Sequence, residues 1–359
     1  MKVIISAGGT GGHIYPALAI INTLKEKEEN LEILYIGTHN RMEKDIIPKN
    51  NIPYESIEIY GFSKNIIRDF KNLFLIQKAT NKCLKIMRKF KPDIVIGVGG
   101  YVTYPVIKAA SKLGIKTIIH EQNSIPGKSN RFLAKKVDKI AVSFPGSKHY
   151  FPEDKVVVTG NPCATNALKM PRISKSEYGL KLTKKLVVIV AGSLGSKTIN
   201  DKMIDFLNMC ANKDFEILYI TGKAYYEEFN KNKFSNNVHI KPYIDNLPSL
   251  LKSTDLIITR AGASTISEII ALQIPAIFIP SPYVANNHQY YNAIELKENM
   301  ACDMIEENNL SAKLLMEKTE EILYNSNTVN LMKENLKKLS CHDSGEKIYN
   351  VIKELTKWI

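Results

Sequence analysis

Short runs of apolar, mostly β-branched residues alternate with amphipathic stretches along most of the chain. A first series of runs occupies 3–6, 31–36, 94–98, 117–120, 139–142 and 156–159. A second series occupies 186–190, 216–220, 238–240, 256–259 and 276–279. Alternation of this kind predicts βαβ units, in which a parallel sheet carries helices on both faces. We therefore predict an α/β fold in which the doubly wound pattern occurs twice.

The two series open with similar sequences. The first opens with Ile4-Ile5-Ser6-Ala7-Gly8-Gly9 and the second with Val188-Ile189-Val190-Ala191-Gly192-Ser193. This weak internal repeat predicts two Rossmann-like domains that face each other across a cleft. We place the N-terminal domain at 1–162 and the C-terminal domain at 163–342. Apolar residues at 348, 351, 352, 355 and 358 have helical spacing, and we expect this last helix, 343–359, to pack back on the N-terminal domain.

Length and composition agree with two soluble domains. The chain has 359 residues, 44% of them hydrophobic and 24% charged, which is typical of globular proteins and excludes wholesale disorder. No apolar stretch approaches the roughly 18 residues that a membrane-spanning helix needs. The N-terminal residues lack the pattern of a cleavable signal. We therefore expect the protein to stay on the cytoplasmic side of the membrane.

Cysteine usage and net charge narrow the possible partners. The five cysteines are far apart and lack metal-site spacing, so we interpret them as reduced thiols and predict no bound metal. The formal net charge of +13 favours an anionic partner, which could be nucleic acid, an acidic membrane surface or a phosphorylated substrate. We find no sequence pattern of a nucleic-acid-binding module.

Glycine-rich turns follow several of the predicted strands. The first, Gly8-Gly9-Thr10-Gly11-Gly12-His13, leads into an amphipathic helix and predicts a phosphate site, because the backbone can approach an oxyanion closely there. The alternative is a tight turn without a ligand. Similar turns occur at 97–101 and 191–196. The spacing is not GxGxxG, and no acidic residue ends the second strand, so a nicotinamide site is disfavoured.

A fourth loop, 259–268, again connects a strand to a helix. Thr265 and Glu268 have the spacing of a capping box, which would stabilise the helix whether or not a ligand binds. Glu268 could instead accept hydrogen bonds from two vicinal ribose hydroxyls. The sequence pattern leaves both interpretations open.

Taken together, these motifs resemble those of the MurG family of bacterial glycosyltransferases. The matching segments follow in order over nearly the whole chain: 8–13, 99–102, 120–123, 160–162, 192–195, 243–245, 260–268 and 288–293. The resemblance implies the GT-B architecture and transfer of N-acetylglucosamine from UDP-N-acetylglucosamine to lipid I, giving lipid II for peptidoglycan. A UDP-N-acetylglucosamine 2-epimerase and a diacylglycerol glycosyltransferase remain alternatives that would use a similar nucleotide site. A basic scaffold protein on a membrane or nucleic acid is an alternative of a different class.

The resemblance also implies roles for individual residues. Thr10, Gly11, Gly12 and Asn123 would reach the donor sugar, and Gly99, Gly100 and Tyr101 the acceptor pyrophosphate. Ser193 would hold the donor pyrophosphate, Ile244 the uracil, and Glu268 the ribose. Ala263, Ser264 and Thr265 would line the sugar-phosphate, and Gln289 and Asn292 would bind hydroxyls of the sugar. Ile266 and Ser267, in the same segment, would also belong to the UDP-N-acetylglucosamine site.

Two positions depart from the family pattern. Cys163-Ala164 follows Asn161-Pro162 where the family usually has an arginine, and Lys197 and Arg260 are the candidates to compensate. Tyr104 stands where a glycine is common, which could alter the shape of the acceptor loop.

The family reaction implies a single in-line displacement with inversion, which requires a base for the acceptor hydroxyl. We predict His13, because the positive end of a helix disfavours imidazolium and keeps the ring neutral. The alternative catalytic residue is Glu121. The sequence has no paired-carboxylate DxD motif, so we expect a reaction that needs no metal or other cofactor.

The segment 62–78 combines large apolar residues with cations. Ile66, Phe70, Leu73 and Phe74 can share one helical face, with Lys71 and Lys78 beside it, as expected for a helix that inserts among anionic headgroups. The alternative is a core helix with a solvated basic side. With a lipid-linked acceptor, we expect a peripheral protein on the cytoplasmic side of the cell membrane.

Overall fold

The computed structural model describes residues 1–61, 66–192 and 195–356. The chain forms two compact units, one of Met1–Asn166 with Asp343–Ile359 and one of Ala167–His342. The change of unit therefore falls after Asn166, inside a helix, whereas the sequence placed it after Pro162. We call these the N-terminal and C-terminal units.

The N-terminal unit is an α/β layer structure around one parallel sheet. Its strands are β1 (Lys2–Ser6), β2 (Glu32–Thr38), β3 (Tyr54–Ile57), β4 (Ile94–Gly97), β5 (Lys116–Glu121), β6 (Lys139–Val142) and β7 (Val156–Val158). Its helices are α1 (Gly11–Lys27), α2 (Glu43–Lys49), α3 (Ile66–Phe90), α4 (Thr103–Lys112), α5 (Lys128–Leu133) and α6 (Pro162–Lys169), which crosses into the second unit. The sheet order is β3-β2-β1-β4-β5-β6-β7.

Both faces of this sheet are buried, which explains the continuous apolar runs of the sequence. Successive side chains of a strand point to opposite faces, so Ile5 and Ile4 belong to different cores. Ile5 packs with residues of α1, whereas Ile4 packs with residues of α3 and α4. All strand pairs are parallel, with Ile5 of β1 opposite Tyr35 of β2 and Ile96 of β4.

The last described helix, α14 (Ser344–Thr356), belongs to the N-terminal unit and lies against α1. Its buried residues Ile348, Val351 and Ile352 join the core on the α1 side of the sheet. Glu28, just after α1, accepts hydrogen bonds from the Tyr349 hydroxyl at 2.7 Å and the Lys353 ammonium at 3.0 Å. These contacts hold the pKa of Glu28 below its usual value, the Tyr349 bond contributing most.

The C-terminal unit repeats the doubly wound pattern. Its strands are β8 (Lys185–Val190), β9 (Phe215–Ile220), β10 (Val238–Lys241), β11 (Leu256–Thr259), β12 (Ala276–Phe278) and β13 (Asp303–Met304), all parallel in the order β10-β9-β8-β11-β12-β13. Its helices are α7 (Lys197–Met209), α8 (Tyr226–Phe229), α9 (Leu247–Leu251), α10 (Ala263–Leu272), α11 (His288–Glu298), α12 (Ala312–Tyr324) and α13 (Ser326–Leu339).

The eleven strands predicted from the apolar runs are all present, and the two-domain α/β fold is confirmed. Two short edge strands, β3 and β13, were not predicted. The capping box at Thr265 and Glu268 is wrong, because α10 begins at Ala263 with Gly262 as its N-cap residue. Thr265 therefore lies inside the first turn and cannot cap it.

None of the five cysteines forms a disulfide, and four of them are buried. Across the described residues, no helix combines the length and the apolar character that crossing a membrane requires.

Candidate active site

In the N-terminal unit the candidate residues lie at the carboxyl ends of β1 and β4. These strands are neighbours in the sheet, but the chain leaves them toward opposite sides, and such a point forms the crevice where α/β sheets bind ligands. The loops after the two strands touch, because the Gly8 amide donates to the Gly99 carbonyl at 3.3 Å. A side chain at Gly100 would place its Cβ 2.3 Å from the Gly8 carbonyl oxygen. The two glycine loops are thus packed against each other.

His13 lies in the first turn of α1, beside these loops. Its Nδ1 is 3.1 Å from the Gly8 carbonyl oxygen, and a Cβ at Gly99 would lie 2.5 Å from its Cδ2. Because a carbonyl only accepts, this contact requires a proton on Nδ1 and makes Nε2 the basic nitrogen. The positive end of α1 disfavours imidazolium. The ring therefore has the tautomer and the environment of a general base.

Thr10, Gly11 and Gly12 form the start of α1. Thr10 is the N-cap residue but its side chain makes no capping bond, and Gly11 and Gly12 occupy the first helical turn, whose amides have no intrahelical partner. These amides are suited to oxygen atoms of a ligand.

Glu121 ends β5, and its side chain is buried. Its carboxylate accepts bonds from the Asn123 amide at 3.0 Å, the Asn123 side chain at 3.2 Å, the Gly127 amide at 3.0 Å and the Asn130 side chain at 2.8 Å. Four donors occupy the oxygens that a base would need. The geometry suits a residue that holds the loop and orients Asn123.

Two buried groups complete this side of the sheet. Tyr101, after β4, carries a buried hydroxyl with no hydrogen-bond partner among the described residues. Burial lowers the pKa of His120 to about 4, and its Nε2 lies 3.1 Å from the Gly160 carbonyl. His120 is thus a neutral structural residue, whereas the Tyr101 hydroxyl has hydrogen-bonding capacity that the described residues do not use.

In the C-terminal unit the equivalent crevice lies at the carboxyl ends of the neighbouring strands β8 and β11. From β8 the chain goes on to β9 on one side of the pair, and from β11 it goes on to β12 on the other side. Ser193 lies outside the described residues. Three residues later, the Ser196 hydroxyl caps α7 by accepting from the Ile199 amide.

Arg260, directly after β11, is committed to this scaffold. Its guanidinium donates to Ser196 Oγ at 3.0 Å and to the Ile279 carbonyl at 3.1 Å, and it forms a buried ion pair with Glu307 at 2.5 Å. Arg260 is therefore not available to replace the missing arginine after Asn161-Pro162. Lys197 is exposed and remains a candidate.

The residues from Ala263 to Ser267 form the first turns of α10. The N-cap residue, Gly262, has no side chain that could cap the helix, and the buried Ser264 hydroxyl has no partner in the described part of the chain. Unpaired first-turn amides beside an unpaired hydroxyl suit a phosphate. Ile266 is fully buried and Ser267 Oγ donates to the Ala263 carbonyl at 2.8 Å, so their side chains stabilise the helix from within. Thr265 is half-buried.

Glu268 follows one turn later, and its side chain is half-buried. Desolvation raises the pKa of Glu268 to about 8. No hydrogen bond to this carboxyl group is present within 1–61, 66–192 and 195–356. A carboxyl group that lacks donors in the unliganded protein is suited to accept them from a ligand.

The remaining candidates for the nucleotide-sugar site are Gln289, Asn292 and Ile244. Gln289 accepts at Oε1 from the Ser281 amide at 2.8 Å, and the Asn292 side chain donates to the Ala261 carbonyl at 3.3 Å. Asn292 is fully buried, so in this structure it supports the loop before α10. Ile244 is also buried.

The candidate membrane face lies on α3. Leu73 is 53% exposed and Phe74 71% exposed, and Lys78 is exposed as well. The side chains of Ile66, Phe70 and Lys71 lie outside the described residues. The opposite face of α3 enters the core through residues four apart: Leu75, Ala79, Cys83 and Met87. The helix is therefore packed into the core on one side and exposes Leu73, Phe74 and a series of cations on the other.

Two residues at these sites were missed by the sequence reasoning. Glu43, the first residue of α2, is fully buried beside the first glycine loop and accepts a hydrogen bond from the Gly9 amide. Its contact spans 34 positions, so no local pattern reveals it. Phe132, on α5, is 72% exposed and directly follows Arg131. A search for aromatic residues beside cations could have found it. Within the described ranges, no cluster of three or more His, Cys, Asp or Glu residues could hold a metal ion.

Comparison with known families fits both units. Residues 3–142 match the glycosyltransferase family 28 N-terminal domain and residues 186–354 match the glycosyltransferase family 28 C-terminal domain. The fold and these matches define a glycosyltransferase of the GT-B architecture. A protein of Bacillus cereus is 46% identical and one of Bacillus subtilis 44% identical, each aligned over 99% of this chain and 100% of its own length. The chain therefore belongs to the family of UDP-N-acetylglucosamine–N-acetylmuramyl-(pentapeptide) pyrophosphoryl-undecaprenol N-acetylglucosamine transferases, as these relatives are named.

Solved structures agree. The crystal structure of MurG from Acinetobacter baumannii superposes with a TM-score of 0.75 at 29% identity, covering 98% of this chain and 99% of that one. A UDP-N-acetylglucosamine 2-epimerase from Neisseria meningitidis gives a TM-score of 0.70 at 14% identity, which shows the shared fold alone. The epimerase alternative is not favoured.

Proposed function

We propose that this protein transfers N-acetylglucosamine from UDP-N-acetylglucosamine to the 4-hydroxyl of the N-acetylmuramyl residue of lipid I, giving lipid II for peptidoglycan. The observation that carries the proposal is the identity of 44% to 46% with relatives of that name, over essentially the full length of both chains. The glycine loops, the start of α10 and Glu268 are in keeping with it.

The C-terminal unit holds the donor. The first turn of α10, with the Ser264 hydroxyl, and the start of α7, with Ser193 before it, contact the pyrophosphate. Glu268 accepts hydrogen bonds from the two ribose hydroxyls, Ile244 contacts the uracil, and Gln289 reads the sugar. Amides at helix N-termini also stabilise the charge that develops on the departing UDP, without any change of geometry during the reaction.

The N-terminal unit supplies the base and the acceptor site. His13 removes the proton of the acceptor hydroxyl through Nε2 as that oxygen attacks the anomeric carbon, and the α-linked donor gives a β-linked product. A positioned base of this kind contributes roughly 10²- to 10⁴-fold. Gly99, Gly100 and Tyr101 contact the acceptor pyrophosphate. Glu121 orients Asn123 toward the donor sugar and does not itself take the proton.

Transfer of labelled sugar to a short-chain lipid I analogue tests the reaction. Labelled lipid II product is expected only when donor and acceptor are both present. Conversion of the donor without acceptor would instead identify an epimerase. In single-turnover measurements, His13→Ala should lose roughly 10²-fold or more in rate. Near-normal chemistry in His13→Ala would refute the assignment of the base.

We also propose that the exposed Leu73 and Phe74 of α3, together with Lys78, dock the protein on the anionic cytoplasmic face of the cell membrane. Sedimentation with vesicles tests this step. The double variant Leu73→Ser, Phe74→Ser should lose binding to anionic vesicles. The matched control Leu182→Ser, Tyr283→Ser, which removes two exposed residues of the C-terminal unit, should retain it. Equal binding of wild type to anionic and neutral vesicles would contradict the proposal.

A further inference from the structure

Glu43 is a buried carboxylate that none of the motifs includes. It is the first residue of α2 and has no exposed surface. It accepts three hydrogen bonds, from the Thr38 amide at 3.0 Å, the Thr38 hydroxyl at 2.6 Å and the Gly9 amide at 3.1 Å. It thus connects the end of β2 to the glycine loop that follows β1.

The surrounding backbone is built around this carboxylate. A Cβ at Gly8 would lie 2.3 Å from Glu43 Oε1, and a Cβ at Gly37 would lie 2.8 Å from Glu43 Cγ. No lysine, arginine or histidine of the described residues forms an ion pair with it. An unpaired buried charge is costly unless hydrogen bonds satisfy it, so the three donors are what allows Glu43 to remain there.

Neighbouring tyrosines do not neutralise Glu43. The Tyr35 hydroxyl donates to the Ala7 carbonyl at 3.0 Å, and the Tyr54 hydroxyl donates to the Thr38 carbonyl at 2.5 Å. Burial, and then the charge of Glu43, raise the pKa of both tyrosines, so they stay protonated. The donors to Glu43 are therefore those of Thr38 and Gly9, and its Oε2 is bonded to the Gly9 amide.

The Gly9 N–H and the Gly8 C=O belong to the same peptide group. On one side this group donates to Glu43 at 3.1 Å, and on the other it accepts from His13 Nδ1, also at 3.1 Å. In a trans peptide these two groups point in opposite directions. Hydrogen bonds in such a chain polarise one another, so the carboxylate makes the Gly8 carbonyl a stronger acceptor for the imidazole N–H.

We propose that Glu43 is a positioning residue for His13, acting through the Gly8–Gly9 peptide group. It holds the carbonyl that fixes the proton on Nδ1 and thereby keeps Nε2 as the basic nitrogen. The arrangement resembles a carboxylate–histidine pair in which the carboxylate orients the imidazole, except that one peptide group stands between the two side chains. The proposal rests on the role of His13 as the base of the transfer reaction.

The tautomer of His13 gives a readout that does not depend on turnover. In the ¹⁵N spectrum of histidine-labelled protein, the His13 signals are assigned by comparison with His13→Gln. The wild-type ring should carry its proton on Nδ1, and Glu43→Gln should shift the population toward the Nε2–H form. For the transfer reaction, kcat should fall by roughly 10-fold, a part of what a positioned base contributes, while KM for UDP-N-acetylglucosamine stays within about 2-fold.

Thr38→Val is the matched control, because it removes one donor to Glu43 and leaves the Gly9 contact in place. It should lower stability without changing the tautomer or kcat. Glu43→Asp is a second variant, which keeps the charge but withdraws it from Gly9, and it should behave like Glu43→Gln.

An unchanged tautomer in both Glu43 variants would overturn the proposal, as would an equal loss of kcat in Thr38→Val. If His13→Ala keeps normal turnover while Glu43→Gln still shifts the tautomer, the assignment of the base fails and the coupling of Glu43 to His13 stands.

Discussion

Replacement of Glu268 by glutamine should stabilise the unliganded protein at alkaline pH and weaken its binding of UDP. The pKa of Glu268 is raised from 4.5 to about 8, because desolvation disfavours the carboxylate. The neutral carboxyl group therefore contributes stability that is fully present below pH 4.5 and is lost as the pH rises through about 8. Each unit of this shift corresponds to about 1.4 kcal/mol, so the full shift sets an upper limit of about 5 kcal/mol.

A smaller effect is the better expectation, because the side chain is half-buried and solvent screens part of the charge. We expect Glu268→Gln to be about 2 kcal/mol more stable than wild type at pH 9 and nearly equal to it at pH 4.5. For a unit of this size, that difference corresponds to a rise in Tm of about 4–8 °C. Glutamine cannot become charged, so the variant does not lose this stability as the pH rises.

Nucleotide binding should change in the opposite direction. If Glu268 accepts bonds from two ribose hydroxyls, its loss should raise the Kd of UDP by roughly 30-fold, at about 1 kcal/mol for each bond. Wild-type affinity should also rise with pH up to about 8, because binding requires the carboxylate, and this dependence should vanish in Glu268→Gln.

Thermal unfolding between pH 4.5 and 9 and calorimetric titration with UDP test the two effects. Glu321→Gln, an exposed change in the same unit, serves as the control and should alter neither. A stability difference between Glu268→Gln and wild type that does not depend on pH would show that the carboxyl group is not desolvated. Unchanged UDP affinity would refute the ribose contact.

Three further predictions concern the scaffold that holds the sites. Glu121→Gln leaves donors of the loop after β5 unsatisfied and should lower the free energy of unfolding in urea by about 2 kcal/mol. The exposed control Glu153→Gln should not change it, and equal unfolding curves for the two variants would contradict the role of Glu121. Arg260→Met leaves Glu307 buried without its partner and should lower the free energy of unfolding in urea by about 3–5 kcal/mol. The double variant Arg260→Met, Glu307→Met should recover most of this loss, and additive losses would count against the ion pair. Gly345→Ala places a Cβ 2.7 Å from Thr23 Oγ1 and should lower the unfolding free energy by about 1–3 kcal/mol, and an unaffected stability would show that α14 can shift along α1.

The apolar runs were sufficient to predict most of the sheet structure. A strand buried on both faces has a continuous apolar sequence, and most of the eleven predicted strands are of this kind. The edge strands β7 and β10 are only partly buried. The two missed strands are at sheet edges. β3 is Tyr54-Glu55-Ser56-Ile57, mostly half-buried, and β13 has only two residues. Their positions depend on pairing with β2 and β12, which local sequence does not record.

Within the sites, the sequence could identify motifs but not the partners of individual atoms. Thr265 and Glu268 have capping-box spacing, yet the helix starts at Ala263 because Gly262 takes an extended conformation there. Glu121 was a candidate base because of its place in a motif, and only the fold shows that four donors surround its carboxylate. These hydrogen bonds join residues that only the folded chain brings into contact.

The glycine loops of the N-terminal unit are a second case in which the sequence identified a motif but not its partners. The glycines indicate that another group lies close to the backbone of these loops, and we predicted that this group is a phosphate. In the structure, a Cβ at Gly8 would meet Glu43, a Cβ at Gly99 would meet His13, and a Cβ at Gly100 would meet the Gly8 carbonyl. These glycines are therefore required for packing within the protein. They leave room for the hydrogen-bonded series of the Glu43 carboxylate, the Gly8–Gly9 peptide group and the His13 imidazole. The amides of Gly11 and Gly12, at the start of α1, are the part of this loop that we propose for the substrate.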